Sequence, residues 1–323
     1  MILKLVTQIS RVLVGILFIY SGFVKLVDPI GSQFKFEEYF SESVLNLTFL
    51  IPFALPFSIL LIVSELAFGV MLLVGYKPKF TIWSLLGLNS IFLFLTWYSY
   101  TYNKVTDCGC FGDAIKLTPK ETFYKNIIFM VFIIILIIGI KHIKPLISNK
   151  FATITSFASV AISLLIANHV LNHLPIIDFR AYAVGKDIAD GMKYKDDGEV
   201  PPIHDFMIET DEGDQLEPML AKEKAMLIVM YNFDKMNKDG IAPVAEVAKK
   251  AKEKGYEIYV LTASYIEDLE ATQKEFDLPY PFGFCDETAL KTAIRANPGI
   301  ITVKKGIIAG KWNWTDADDV ILE

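Results

Sequence analysis

Long apolar runs dominate the first half of the chain, and shorter alternating segments follow in the second half. A helix that crosses the hydrocarbon core of a bilayer needs about 20 mainly apolar residues. Five stretches meet this requirement, at about 9–27, 53–75, 80–100, 123–140 and 151–171. The fifth is diluted by serine and threonine, but their hydroxyl groups can bond to the helix backbone within a membrane. The pattern therefore predicts five membrane helices.

The first apolar stretch is expected to remain in the protein as a helix. The run Lys25-Leu26-Val27-Asp28-Pro29 follows it. A signal peptide has small residues at its cleavage site in that place. The first stretch is therefore predicted to be a membrane span and not a removable leader.

Lysine and arginine residues near the ends of the predicted spans indicate the topology, because short basic loops stay in the cytoplasm. Basic residues precede the first span and lie in the loops 76–79 and 141–150. With five spans, all three places fall on the same side of the membrane. The amino terminus is therefore predicted to be cytoplasmic, and the loop 101–122 and the carboxy-terminal half to face outward. This topology predicts an inner (cytoplasmic) membrane protein with a periplasmic, extracytoplasmic domain.

The pattern changes after the fifth span. Residues 172–203 are rich in glycine and proline, lack an amphipathic period and are expected to form a polar linker. The continuous apolar run at 225–232 is typical of a strand buried on both faces. Helices are predicted at 242–254, 266–276 and 287–296, and further strands at 257–262, 300–304 and 307–312, the last two as a hairpin. The predicted domains are a helical membrane domain at 1–147, a fifth membrane helix at 148–174, a linker at 175–202 and an α/β domain at 203–323.

Composition and charge exclude several classes of protein. Hydrophobic residues make up 53% of the chain and charged residues 21%, against averages of about 45–50% and about 25% in soluble proteins. Residues 1–174 carry 13 lysines and arginines against 8 acidic residues, whereas residues 175–323 carry 18 against 29. These values exclude a fully soluble enzyme, a disordered chain and a nucleic-acid binder with a basic face. The three cysteines are too few for a disulfide-stapled scaffold.

The most specific local motif is Cys108-Gly109-Cys110, which lies in the outward loop within the sequence DCGCFGD at 107–113. Two cysteines separated by one glycine can close a small, strained disulfide ring, and strain makes a disulfide a better oxidant. The pair is therefore a candidate redox site; a structural bridge and two ordinary loop cysteines are the alternatives. Zinc is disfavoured and no metal site is predicted, because a structural zinc site takes four ligands and no further cysteine or histidine lies nearby.

The third cysteine, Cys285, has no partner close to it in the sequence. Free cysteine often behaves as a small buried hydrophobic residue. We expect Cys285 to be such a residue, just before the start of a helix. A reactive thiol is the alternative.

Several polar residues fall inside the apolar spans. Glu65 is central in the second span, and Arg11 and Lys25 lie near the ends of the first. A carboxylate at the middle of a membrane is costly and usually faces a partner or a cavity. Arg11, Lys25 and Glu65 are therefore a candidate intramembrane polar site. A purely structural ion pair of Glu65 with Arg11 or Lys25 is the alternative.

Residues 5–145 resemble the DoxX/MauE group of small membrane proteins. The resemblance is carried by Arg11, Gly15, Phe18, Ser21-Gly22, Lys25-Leu26, Asp28, Glu65-Leu66, Gly69 and the CGCFGD motif at 108–113. It implies a four-helix bundle associated with redox maturation of exported proteins. The architecture is also similar to that of quinone-linked disulfide-generating enzymes. The resemblance thus implies Cys108 and Cys110 as catalytic residues and, by analogy, a quinone as cofactor.

Residues 200–315 resemble a thioredoxin-like domain. The similarity lies in the entry segment Pro202-Ile203-His204-Asp205-Phe206, the strand at 225–232, and the loop Asn297-Pro298-Gly299 with the hairpin after it. It implies a cis peptide bond before Pro298, beside the loop 233–237. In the family the redox pair follows the central strand, but this loop has no cysteine, so the domain cannot exchange disulfides there. The candidate partner-binding residues are Phe233, Asp234 and Pro298.

The expected fold is thus an α-helical membrane bundle of four plus one transmembrane helices followed by an α/β thioredoxin-like domain. The first function hypothesis is thiol-disulfide maturation of exported proteins by Cys108 and Cys110, with the second domain holding the partner. The alternative is a non-catalytic membrane scaffold or assembly factor for an envelope protein complex. Transport of a small molecule past Glu65 is a third hypothesis. The expected partners are exported or envelope proteins and the lipid bilayer, with no nucleic acid.

Overall fold

The five apolar stretches form five helices that are long and apolar enough to cross a membrane, as predicted. The computed structural model describes residues 1–105, 109–115, 117–194 and 200–323, and the chain divides into two units, Met1–Leu171 and Asn172–Glu323. The first half contains helices α1 (Ile2–Leu26), α2 (Pro29–Phe40), α3 (Ala54–Val74), α4 (Pro78–Tyr102), α5 (Pro119–Ile138) and α6 (Asn149–Asn172). A 3-10 segment, Thr48–Phe53, leads into α3.

Helix α2 was not expected from the hydropathy pattern. Its start is encoded locally, because the Asp28 side chain accepts a hydrogen bond from the Gly31 N–H and Pro29 occupies the first turn. The helix is only 12 residues long and mixes polar with aromatic positions, so a search for membrane spans misses it. Tyr39 and Phe40 at its end are buried.

Glycines bring α1 and α3 into close contact. A Cβ atom on Gly69 would lie 2.7 Å from Cγ1 of Ile19 and 3.0 Å from the carbonyl oxygen of Gly15. A Cβ atom on Gly15 would lie 2.5 Å from Cδ2 of Leu73. Small residues at such positions allow two membrane helices to pack backbone against backbone.

Helices α4 and α5 pack against each other and complete the core of the first unit. The Asn89 amide donates to the Asn126 carbonyl at 3.1 Å, and the Asn126 amide donates to Thr96 Oγ1 at 3.2 Å. Such interhelical hydrogen bonds hold membrane helices together. The buried apolar side chains of this core are Val14, Phe18, Leu72, Ile82, Leu85, Phe129, Ile133, Leu136 and Ile143.

The second unit is built on one mixed seven-stranded sheet. Its strands are β1 (Glu209–Thr210), β2 (Gly213–Asp214), β3 (Ala225–Val229), β4 (Glu257–Thr262), β5 (Phe282–Phe284), β6 (Gly299–Lys304) and β7 (Ile307–Asn313). Their order is β2-β1-β5-β4-β3-β6-β7, with β3, β4 and β5 parallel and the other neighbours antiparallel. The helices are α7 (Ile188–Gly191), α8 (Leu216–Leu220), α9 (Ile241–Glu253), α10 (Leu269–Phe276) and α11 (Glu287–Ala293).

The central strands were predicted from their apolar runs. Strand β3 is buried at all five positions, and β4 has the predicted bounds. Strands β1, β2 and β5 were missed because they are two or three residues long, too short to show an alternating pattern. Side chains of β3 form part of both apolar cores, one on each face of the sheet: Leu227 lies in one and Ile228 in the other.

The segment expected to be a linker, at 175–202, contributes to the second unit. Tyr182 and Ile188 are buried in the same core as Leu227. The Gly185 N–H donates to the Ile308 carbonyl at 2.8 Å, which ties the segment to β7. The segment lacks an amphipathic period because its apolar residues enter the core from turns and the single-turn helix α7.

The predicted cis peptide bond between Asn297 and Pro298 is confirmed. It lies beside the loop 233–237, as expected. The Asn237 N–H donates to the Asn297 carbonyl at 3.0 Å, and the Asn297 amide donates to the Asn232 carbonyl at 2.8 Å. These bonds join the end of β3 to the start of β6.

Candidate functional site

A buried ion pair links α1 to α3. The Lys25 ammonium nitrogen lies 3.0 Å from Oε2 and 3.2 Å from Oε1 of Glu65, and both side chains are almost completely shielded from solvent. Removing one partner from such a pair is strongly destabilising, because an uncompensated charge is left in a medium that solvates it poorly. Of the three predicted intramembrane residues, the structure therefore brings Lys25 and Glu65 together.

The same cluster holds the backbone of Cys110. Lys25 donates to the Cys110 carbonyl oxygen at 2.7 Å, and the Ser21 hydroxyl lies 2.9 Å from that oxygen. Lys25 also donates to Ser21 Oγ at 2.7 Å, and Ser21 Oγ lies 3.2 Å from Glu65 Oε1. The three hydrogens of the ammonium group thus have acceptors in Glu65, Ser21 and Cys110.

The sequence of α1 explains how these groups meet. Ser21 and Lys25 are four residues apart, so they lie on the same face of the helix. Gly22 lets α3 approach that face, since a Cβ atom there would lie 3.1 Å from Cβ of Glu65. A larger residue at position 22 would separate the carboxylate from the other two groups.

The loop that carries Cys110 is folded onto the bundle in its described part, residues 109–115. Gly109 and Gly112 have φ angles of +62° and +50°, a region that favours glycine. The Gly112 N–H donates to the Gly109 carbonyl at 3.1 Å. The ring of Phe111 packs against Tyr20 and lies 4.3 Å from the Lys125 ammonium group. Cys108, the other predicted redox cysteine, lies outside the described residues, as does its distance to Cys110.

Two small cavities lie beside Cys110, and the Phe92 side chain lines both. The first, of about 50 Å³, is bounded by Lys25 and Cys110 and otherwise mainly by apolar side chains of α2, α3 and α4. The second, of about 20 Å³, is lined by polar side chains and by apolar neighbours; the polar ones are Ser21, Glu65, Asn89, Lys125 and Asn126. Cys110 is partly exposed, and its thiol is not bonded to another described cysteine.

Arg11 lies apart from the ion pair and donates hydrogen bonds to the carboxy-terminal end of α3. Its guanidinium donates to the carbonyl oxygens of Leu72 at 2.9 Å and of Leu73 at 2.7 Å, and to that of Lys144 at 3.1 Å. The last carbonyl groups of a helix have no partners within it, and a cation there is favourable. The alternative pairing of Glu65 with Arg11 is therefore not present in the structure.

The predicted partner-binding residues of the second unit lie at one place. Phe233 is partly exposed, its N–H donates to Ser264 Oγ at 2.9 Å, and its ring packs edge-on against Phe276. Asp234 is exposed, whereas Pro298 is buried. Pro298 packs beside Gly240, where a Cβ atom would lie 2.8 Å from Cγ of the proline.

Cys285 is buried and precedes α11, as expected. Its N–H donates to the Thr262 carbonyl at 2.9 Å. Burial raises the pKa of its thiol to about 12, and the charge of Asp286 adds to the rise. A thiol that stays protonated is a poor nucleophile, so the reactive alternative for Cys285 is not supported.

A second buried polar cluster was missed by the sequence analysis. Asp178 pairs with Arg180, with 2.7 Å from Oδ1 to Nε, and with Lys311, with 2.6 Å from Oδ2 to Nζ. Burial raises the pKa of Asp178, but the charges of Arg180 and Lys311 outweigh it and bring the pKa to about 2. Burial, with the charge of Arg180, lowers the pKa of Lys311 to about 7. The sequence signal that could have indicated this cluster is the alternation of charged and apolar residues at 176–180.

Among the residues that the structure describes, no three histidine, cysteine or carboxylate groups are arranged to hold a metal ion.

Residues 3–139 match the model of the family described as Methylamine utilisation protein MauE. The match covers α1 to α5, including Ser21, Lys25, Glu65 and Cys110, but less than half of the chain. No curated protein and no solved structure matches the chain. The similarity to MauE and the five apolar helices identify a multi-pass membrane protein. The resemblances to DoxX and to thioredoxin-like proteins stay predictions.

Proposed function

We propose that this multi-pass membrane protein assists thiol-disulfide maturation of exported proteins through Cys108 and Cys110. The observation that carries the proposal is the attachment of the Cys110 backbone to the buried cluster of Lys25, Ser21 and Glu65. Placing a carboxylate and an ammonium group within a membrane bundle is costly. Here two of the three side chains, Lys25 and Ser21, bond to the Cys110 carbonyl oxygen. These bonds fix the position of the loop that carries the cysteines, which supports a role for that position in the reaction.

The reaction is a thiol-disulfide exchange. A thiolate of the exported partner attacks the Cys108–Cys110 disulfide and forms a mixed disulfide, and one cysteine of the pair leaves as a thiolate. A second thiolate of the partner then attacks the mixed disulfide. The partner gains a disulfide, and Cys108 and Cys110 end as two thiols.

The reduced pair must pass on two electrons and two protons before the next cycle. The cavity beside Cys110 is lined by Phe36, Phe92 and Leu95 and also by Lys25 and Lys35. Its volume of about 50 Å³ is smaller than the cavity of about 150 Å³ that holds a single benzene ring, so it does not fit a quinone ring as it stands. A membrane quinone is the proposed acceptor of both electrons and both protons, and it would need this cavity to widen beside Cys110.

The second unit is proposed to be a thioredoxin-like module that holds the partner protein outside the cytoplasm. Support comes from the parallel strands β3 and β4, the antiparallel pair β6 and β7, and the cis bond before Pro298. Phe233 and Asp234 are accessible residues of the loop beside that bond. Since the loop 233–237 has no cysteine and Cys285 is buried, the unit contributes binding and no thiol chemistry.

The test uses the full chain at its normal level in a strain that lacks it. Cys108→Ser and Cys110→Ser should each abolish function, and one of them should accumulate a mixed disulfide with an exported protein. Cys285→Ser is the matched control and should leave partner oxidation unchanged. A double serine variant that fully restores function would defeat the redox proposal and favour the membrane scaffold.

The proposed topology has its own test. A reporter that is active only after export, fused after Glu323, should be active. Activity of a cytosol-only reporter at the same position would place the second unit inside the cell and remove the basis of the proposal.

A further inference from the structure

The segment 176–180 exposes its apolar side chains and buries its charged ones. Its apolar side chains face outward: Ile176 is 60% exposed, Ile177 42% and Phe179 41%. Its charged side chains, Asp178 and Arg180, face inward and are largely buried. Single exposed apolar residues are common on soluble proteins, but three of them beside buried charges reverse the usual arrangement.

Ion pairing fixes this orientation. Asp178 accepts from Arg180 Nε at 2.7 Å and from Lys311 Nζ at 2.6 Å. Arg180 also donates to the Thr292 carbonyl at 3.2 Å. Since Lys311 is on β7 and Thr292 is on α11, the segment is tied to two elements of the second unit. Its apolar side chains cannot turn inward without breaking these contacts.

The segment also lies close to the end of a membrane helix. Helix α6 ends at Asn172, whose carbonyl accepts from the Asn313 amide at 3.0 Å and from the Thr315 hydroxyl. A residue spans at most about 3.5 Å, so Ile176 is within about 14 Å of the helix end and Phe179 within about 25 Å. The chain therefore keeps these side chains within about 25 Å of the helix end whatever the arrangement of the two units.

We propose that Ile176, Ile177 and Phe179 insert into the lipid-water interface at the end of α6. The partner is the bilayer itself, because the exposed patch begins four residues after the end of a membrane-spanning helix. The interface accommodates apolar side chains to a depth of about 5–10 Å. This contact restrains the second unit at the membrane surface, near the end of the helix that tethers it.

Apolar insertion, and not charge, provides this contact. Residues 175–323 carry 29 acidic against 18 basic residues, so anionic lipids repel the unit as a whole. The contact should therefore persist at high salt, unlike the contact of a basic patch, which salt screens.

The experiment places a polarity-sensitive fluorophore on the full chain in phosphatidylcholine vesicles. The background carries Cys108→Ser and Cys110→Ser, and the buried Cys285 is kept. Single labelling sites are Ile177→Cys and Phe179→Cys, with Ile321→Cys as the control, since Ile321 is 69% exposed in the same unit. Quenching is measured with a nitroxide on the upper acyl chain of the lipid and with aqueous iodide, at low and high salt.

We expect labels at positions 177 and 179 to be quenched several-fold more by the lipid nitroxide than the label at 321, and to be protected from iodide, at both salt concentrations. Iodide quenching equal to that at 321 would show that the segment faces water and would overturn the proposal. Protection from both quenchers would show that protein covers the segment, which also overturns it. Loss of lipid quenching at high salt would contradict the apolar basis of the contact.

Discussion

The ammonium group of Lys25 lies 2.7 Å from the backbone carbonyl oxygen of Cys110, although 85 residues separate the two along the chain. The hydrogen bond joins the intramembrane ion pair to the loop of the CGC motif. It connects two features that the sequence presents separately: charges within apolar spans and a pair of cysteines between two spans. The buried charges therefore have a structural consequence at the proposed redox site.

Lys25→Met should lower the free energy of unfolding by about 3–5 kcal/mol, because it leaves Glu65 without its partner. Partner oxidation should be lost as well. The double variant Lys25→Met with Glu65→Leu should recover most of the stability, since an apolar pair can replace a buried ion pair. It should not recover partner oxidation, because the Cys110 carbonyl has still lost the hydrogen bond from Lys25 and keeps only that from Ser21.

Thermal unfolding in detergent and partner oxidation in cells measure the two effects separately. Arg11→Met is the control for removing a cation from the same helix. It should destabilise the end of α3 with a smaller effect on oxidation. If the stable double variant oxidised partners normally, Lys25 would have a structural role only.

Gly69→Ala should destabilise the membrane bundle by about 1–3 kcal/mol, because overpacking displaces neighbouring groups. The added methyl group would lie 3.0 Å from the Gly15 carbonyl oxygen. Gly87→Ala on α4 is the matched control, since a Cβ atom at Gly87 meets no described atom within 4 Å. Thermal unfolding in detergent should separate the variants, and equal stability would contradict the close contact of α1 with α3.

Asp178→Asn should destabilise the second unit by about 3–5 kcal/mol at pH 7, because Arg180 and Lys311 lose their shared carboxylate. The pKa of Asp178 is lowered from 3.8 to about 2 in the folded chain. The stability from this shift, about 2 kcal/mol, is fully present above pH 4 and is lost as pH falls from about 4 to about 2. The difference in free energy of unfolding between wild type and Asp178→Asn should therefore decrease as pH falls over that range.

Protease resistance of the full chain at a series of pH values measures this difference. Asp190→Asn is the control, because Asp190 forms an exposed ion pair with Lys193, and such pairs contribute about 0–1 kcal/mol. A gap between Asp178→Asn and wild type that stayed constant from pH 5 to pH 2 would argue against the buried carboxylate as its source.

Cys285 should resist alkylation in the native chain at pH 8. Its thiol is buried and has a pKa of about 12, so only about one molecule in ten thousand carries the reactive thiolate at that pH. In a Cys108→Ser chain after mild reduction, a maleimide should label Cys110 and leave Cys285 free. Both should be labelled after denaturation. Rapid native labelling of Cys285 would show that the second unit opens readily.

Elements that depend on local pattern could be predicted from the sequence. The membrane helices follow from apolar runs, because a bilayer fixes the length of any helix that crosses it. Strands β3 and β4 follow in the same way from residues buried on both faces. Cys285 was placed correctly because a small apolar residue before a helix start has few other roles.

The tertiary structure decided which of these elements meet. Glu65 had two candidate partners in Arg11 and Lys25, and hydropathy treats both alike. Arg11 and Lys25 are 14 residues apart, so they lie on nearly the same face of α1 but about 21 Å apart along its axis. The choice depends on the axial register of α1 against α3, which the close contacts at Gly15, Gly22 and Gly69 set. Likewise, Asp178 and Lys311 are 133 residues apart, and only the folding of the apparent linker against β7 brings them together. Local patterns fix helices and strands, whereas pairing between distant side chains depends on how whole faces pack.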